Sequence, residues 1–166
     1  EETKSQDYVK IPAGSTSFSY KFTGFTAPFS NIYALFQPYS NTSTSYARKP
    51  FELTAADLNL ISDYNLKDGE LEIQSIQVNR GELQEQWQKR HKISKFRKPL
   101  LFLSVTEVAD IKNQNLGSLN ASNLNDFTFN INFNSALPVD YAISFVFFQH
   151  NWVNHQAGEF QRAFNL

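Results

Sequence analysis

Aromatic residues stand at every second position from Phe18 to Phe22, with Ser19, Lys21 and Thr23 between and after them. This period of two predicts a half-buried strand over 15–25. Ala27 and Pro28 break it. From Asn31 to Pro38 the chain is apolar on both parities, the pattern of a strand covered on both faces. A long polar loop is predicted over 40–50. Thr54-Ala55-Ala56-Asp57 has the form of a capping box with Asp in the place of Glu or Gln, and Leu58 and Ile61 then share a face. One short helix is predicted there. Lys67-Asp68-Gly69 reads as a turn. Leu71 and Ile73 then point one way while Ile76 and Val78 fall out of phase, which places a bulge near Gln74-Ser75. Arg80-Gly81 turns the chain again.

Between Glu82 and Lys98 the positions Leu83, Trp87 and His91 are four apart, which fits a helical turn or two. "LLFLSVTEVAD" from Leu100 reads as a strand, and 113–125 as an Asn-, Ser- and Gly-containing loop. "EFQRAFNL" closes the chain as a last strand. Residues 1–14 are polar, end in Pro12 and Gly14, and read as a loose N-terminal arm; 15–166 reads as a single sandwich domain. The sum is about eight strands, one short helix, long polar connections and no alternating β-α units. The predicted fold class is therefore all-β, an antiparallel two-sheet sandwich of jelly-roll type. An immunoglobulin-type sandwich is the alternative, against which stand the long loops and the missing Cys-Trp-Cys spacing.

One pattern occurs twice. "FSYKFTGFTAPFSNIYALFQPYS" begins at Phe18 and "FTFNINFNSALPVDYAISFVFFQHNW" at Phe127. Both open on alternating aromatics and turn at an Ala and a Pro (Ala27-Pro28; Ala136-Leu137-Pro138). Both continue with Tyr-Ala (Tyr33-Ala34; Tyr141-Ala142) and reach Phe-Gln (Phe36-Gln37; Phe148-Gln149). Each reads as an aromatic hairpin. The repeat fits two core hairpins of one sandwich obeying the same rules, or a trace of duplication.

Composition narrows the class. At 166 residues the chain buries roughly two thirds of its unfolded surface as one domain, with no need of a disulfide or metal. It has no cysteine, hence no disulfide framework, thiolate metal site or cysteine nucleophile. The net charge is -1, so no whole-protein field points to nucleic acid or membrane. Aromatics make up 15%, with 16 Phe, against only 19% charged residues. That balance suits pleated, half-buried surfaces joined by Asn-, Ser- and Gly-rich turns. No run of about twenty apolar residues predicts a membrane-spanning helix. The chain holds no Met, and is read as processed or as part of a longer polypeptide.

Candidate chemistry is sparse. His150, His155 and Glu159 could converge on a metal from a loop, but the pattern lacks HExxH or a third clear ligand. Asp63, Asp68, Glu70 and Glu72 cluster around a turn without EF-hand spacing and read as a solvated turn. No GxSxG, P-loop or GxGxxG occurs. Asn41-Thr42-Ser43 and Asn120-Ala121-Ser122 match the N-glycosylation pattern, which is common by chance. No catalytic residue, metal or cofactor is predicted, and the chain is read as no enzyme. The exception to its near-neutral charge is "KRHKISKFRK". Lys89, Arg90, Lys92, Lys95, Arg97 and Lys98 gather there out of fifteen Lys and Arg, with Trp87 and Phe96 interleaved. Such a segment suits phosphate, on a nucleic-acid backbone or anionic lipid heads. It equally suits an acidic neighbour, or a surface turn partly paired with Glu82 and Glu85.

The second aromatic segment, "FTFNINFNSALPVDYAISFVFFQHN", resembles the aromatic strand, Asn-rich turn, Pro and apolar strand of viral jelly-roll capsid proteins, particularly those of tailless, membrane-containing viruses and phages. The segment from Phe18 resembles the matching part of another jelly roll, or of the partner sheet. The likeness covers about a third of the chain, and a double jelly roll would need well over 200 residues. It implies a capsid subunit located in the virion, a homo-oligomer of trimer size or larger that also meets other capsid proteins. Tyr33, Phe36, Phe145, Phe147 and Trp152 are its candidate subunit contacts. The basic segment would face membrane or genome. The alternative is an extracellular or cell-surface carbohydrate-binding or adhesion sandwich, its groove lined by Tyr39, Tyr46 and Trp152.

Overall fold

The computed structural model describes residues 2–5, 8–24, 27–42, 54–78, 101–105, 118–149, 153–156 and 159–162. Among them lie β1 (Glu2–Ser5), β2 (Val9–Ile11), β3 (Ser17–Lys21), β4 (Pro28–Pro38), α1 (Ala55–Leu60), β5 (Ile61–Asp68), β6 (Leu71–Gln77) and β7 (Leu101–Ser104). They continue with β8 (Leu119–Asn120), β9 (Phe127–Phe133), β10 (Tyr141–Gln149), β11 (Val153–Gln156) and β12 (Glu159–Arg162). One sheet runs in the order β1-β10-β4-β7, with β2 beside β10 and β8 beside β4; the second runs β3-β9-β5-β6. Among the described residues, β11 and β12 pair with each other and with no other strand.

The order has a simple origin. β1 and β2 share one position beside β10, and β7 and β8 share one beside β4, so among the described residues the two large sheets hold eight strand positions in chain order. The first pairs with the last (β1 and β2 with β10), the second with the seventh (β3 with β9), the third with the sixth (β4 with β7) and the fourth with the fifth (β5 with β6). All these pairs are antiparallel. The chain is one long hairpin, wound so that successive pairs fall alternately in the two sheets. This is the jelly roll. Its tip is the turn between Asp68 and Leu71, where Gly69 takes φ 57, a left-handed conformation that favours glycine. The order excludes the immunoglobulin arrangement.

The repeated pattern is not a pair of hairpins. β3 and β4 lie in opposite sheets, as do β9 and β10. What repeats is a strand, a corner with Ala and Pro, and a strand in the other sheet. The two copies pair with one another. Phe18 stands opposite Ile131 and Tyr20 opposite Phe129 in one sheet; Ala34 stands opposite Phe145 and Phe36 opposite Ile143 in the other. Their inward residues fill the space between the sheets. Phe22 meets Phe145 at 4.8 Å and Phe147 at 5.0 Å, both edge to face, and Phe36 stacks on Tyr141 at 4.5 Å.

Two local expectations need correction, and the bulge expected near Gln74-Ser75 is found one residue away. The loose arm over 1–14 carries β1 and β2, hydrogen-bonded to β10, and Ile11 is fully buried. Its alternation spans only Val9 to Ile11, too short a signal beside so many polar neighbours. The bulge in β6 lies slightly earlier than Gln74-Ser75: Leu66 pairs with Gln74 and Lys67 with Glu72, leaving Ile73 as the extra residue. The loop over 113–125 includes β8 and a 3-10 turn at Ala121–Asn123 capped by Asn120. The helix is as expected. The Thr54 hydroxyl accepts from the Asp57 amide at 3.1 Å, and the Asp57 carboxylate accepts from the Thr54 amide at 3.1 Å.

A single buried phenol ties the sheets together where β7 would present a bare edge. Tyr64 on β5 donates to the Phe102 carbonyl at 2.9 Å and accepts from the Phe102 amide at 3.1 Å. Burial pushes this phenol well above the ordinary tyrosine range, so it remains protonated. Tyr64→Phe leaves both Phe102 groups without that partner. It is expected to destabilise the fold by about 2–3 kcal/mol, read as a lower urea midpoint with an unchanged slope.

Candidate assembly surfaces

The structure relocates most of the proposed subunit contacts. Phe36, Phe145 and Phe147 point between the sheets and are at most 2% exposed. They belong to the chain's own core and are not available to a neighbour. The period of two explains the error: β10 is apolar on both parities, so aromatic content alone does not tell the inward face from the outward one. Tyr33 does lie on the outward face, half-buried, packed on Phe102 at 4.8 Å and Phe148 at 5.2 Å. Around it Leu35, Gln37, Ala142 and Ser144 are buried. The outward face of this sheet is thus largely covered within the chain, and needs no second subunit to cover it. Trp152, Tyr46 and the basic residues Lys89, Arg90, Lys92, Lys95, Arg97 and Lys98 lie outside the described residues.

One end of the sandwich carries a tightly tied knuckle that sequence reasoning missed. It joins the corner after β2 to the corner before β10. The Gly14 amide donates to the Leu137 carbonyl at 2.8 Å, and the Leu137 amide to the Ser15 carbonyl at 3.0 Å. Asp140 is the hub. Its carboxylate accepts from the Ala13 amide at 2.8 Å and pairs with the Lys10 ammonium at 2.6 Å, while its carbonyl accepts from the Tyr39 amide at 2.8 Å. The Lys10 bond, with the Ala13 amide, holds the Asp140 carboxyl below the usual carboxylate range, and Asp140 raises Lys10 in turn. Lys10 also sits 4.9 Å from the centre of the Tyr39 ring, so a cation already faces one side of this exposed aromatic. That arrangement disfavours Tyr39 as a sugar-stacking platform. The only sequence signal was Lys10 and Asp140 flanking two Pro-containing corners, far apart in the chain.

The outward face of the other sheet is polar and cross-linked. Ser19 donates to Asn130 at 2.7 Å, Asn130 to Asn65 at 3.0 Å, and Asn65 to Glu72 at 3.5 Å, crossing all four strands. Asn132 donates to Asp63 at 2.7 Å. Asp68 accepts from the Asn125 and Asp126 amides at 3.0 and 2.7 Å, pinning the loop before β9 to the hairpin tip. Asp57 is buried between α1 and β10, where the Tyr141 phenol donates to it at 2.7 Å. Each of these carboxylates thus holds backbone or neighbouring strands in place. Among the described residues no three His, Cys, Asp or Glu are grouped so as to hold a metal ion.

The strand order defines a jelly roll. Comparison with solved structures finds the same fold in the major capsid protein P2 of bacteriophage PM2, with a TM-score of 0.53 at 11% sequence identity. The match covers 92% of this chain and 56% of that one, so the chain spans little more than half the length of the capsid protein it resembles. No protein-family model matches the sequence, and no curated protein matches it.

Removing the hub should uncouple the two corners. Asp140→Ala is expected to raise hydrogen exchange of the Ala13 amide by roughly tenfold or more while leaving exchange in β4 and β9 unchanged. Because the carboxyl's folded pKa is lowered, its contribution is complete above the ordinary carboxylate pKa of about 4 and is lost as pH falls through the lowered value. In the wild type, Ala13 protection is expected to fade over that acid range.

Proposed function

We propose that this chain is a structural subunit of a virus particle, a jelly-roll capsid protein that assembles with its own copies and with other capsid proteins into a shell. The observation that carries the reading is the jelly-roll strand order of this chain, first with last and second with seventh, beside a fold match to a phage capsid protein that covers 92% of the chain. A structural role rather than an enzymatic one fits the carboxylates, which are spent on holding strands and corners. On this reading the whole chain folds as one unit and is located in the virion.

The basic segment has a place in the same scheme. Of the strands that flank it, β6 ends toward the end of the sandwich that carries the Lys10–Asp140 knuckle, while β7 begins beside the middle of β4. Gln77 lies beside Asp63, Asp63 beside Asn132, and Leu101 beside Ala34. We read Lys89, Arg90, Lys92, Lys95, Arg97 and Lys98 as facing the shell interior, in contact with anionic lipid or nucleic acid. At about 1 kcal/mol per basic residue near an anionic surface, weak contacts repeated over a symmetric shell sum to firm attachment.

Light scattering over a range of concentrations tests the assembly. A species of trimer mass or larger is expected; a monomer throughout removes the shell reading. Changing the six basic residues to Gln is expected to abolish salt-sensitive binding to anionic vesicles or DNA. Wild-type protein that binds neither at low salt removes the interior contact.

A further inference from the structure

Among the described residues, the outer edges of the two large sheets are guarded except one. The β7 edge is closed by the Tyr64 phenol on Phe102. The β6 edge is broken by the bulge at Ile73 and carries Glu72. The edge beside β10 is split into two short strands, β1 and β2. Bulges, charges and short strands are the ordinary means of preventing edge pairing. β3 has five regular residues with no register shift and no proline. Among the described residues no strand lies on its outer side. Its one lysine, Lys21, is already paired with Asp126 at 2.6 Å.

The direction of its backbone groups follows from the ladder. The Phe22 amide donates to the Phe127 carbonyl, and the Phe133 amide to the Thr16 carbonyl, both at 2.9 Å. Even-numbered residues therefore face β9, and Ser17, Ser19 and Lys21 turn their amides and carbonyls outward. All three residues are exposed, while Phe18 and Tyr20 between them are half-buried.

We propose that this edge joins to the same edge of a second copy, forming an antiparallel β3–β3 pair about a twofold axis through Ser19. The inference rests on the capsid reading and names a contact for it. The register is self-complementary. Ser19 faces Ser19 and Ser17 faces Lys21, each exchanging both backbone bonds, and Phe18 faces Tyr20 as an aromatic pair. No like charges stand opposite one another, because each lysine meets a serine. With a net charge of -1 per chain, two copies carry little overall repulsion. The pairing continues a four-stranded sheet into an eight-stranded one across two subunits.

The test uses the full chain. Ser19→Lys sets two like charges on the axis and is expected to raise the dissociation constant of the pair by at least about tenfold, measured by sedimentation equilibrium. Leu71→Lys, an equal charge change at an exposed position on the β6 edge, is expected to leave it unchanged. In wild type, the Ser17, Ser19 and Lys21 amides are expected to gain exchange protection as concentration rises. If wild type and Ser19→Lys assemble alike and those amides exchange freely, edge pairing is wrong and the shell reading stands. If wild type stops at a dimer that Ser19→Lys abolishes, edge pairing stands and the shell reading falls. A wild-type monomer at every concentration overturns both.

Discussion

The fold depends on two similar segments pairing with each other twice. β3 pairs with β9, and a corner later β4 pairs with β10. Because each segment crosses between sheets at its Ala-Pro corner, the first pairing all but dictates the second. Together they bring Phe22, Phe36, Phe129, Phe145 and Phe147 into the same space, where edge-to-face contacts set the spacing of the sheets. Each remaining large-sheet strand adds to one side of this four-strand centre, and the polar ties close what is left. Tyr64 closes the β7 edge, Asp140 joins the corners, and Asp68 holds the loop before β9.

Much of this was legible in the residues. Period two over Phe18, Tyr20 and Phe22 marked β3, and Thr54 with Asp57 marked the helix start. The phase slip between Ile73 and Ile76 marked a bulge within a residue or two of its position. Which strands pair is a different matter. A pattern of strand, Pro-marked corner and strand is the same for a hairpin as for a crossing between sheets; only the burial of both parities in β4 and β10 separates them, and that depends on contacts distant in sequence. The same limit misplaced Phe36, Phe145 and Phe147, whose inward direction is set by register and not by composition. Ile11 was missed because three residues of alternation are too few to stand out.

The candidate surfaces divide by the same rule. A charge run such as Lys89 to Lys98 is visible in any window of sequence. The Lys10–Asp140 hub and the hydrogen-bond chain from Ser19 to Glu72 join residues from distant strands, and appear only once the hairpin is wound. The functional reading leans on the second kind of feature. Among the described residues, the wound hairpin is a block with a buried aromatic centre, one polar face tied internally and one open edge on its large sheets. Such a block suits repetition in a shell, since its contacts form with little reorganisation of the subunit.

Electron microscopy of the purified full chain at rising concentration tests that claim most directly. Ordered assemblies with a regular subunit repeat, as closed shells or flat arrays, are the result the account predicts. A field of isolated single-subunit particles at every concentration contradicts it.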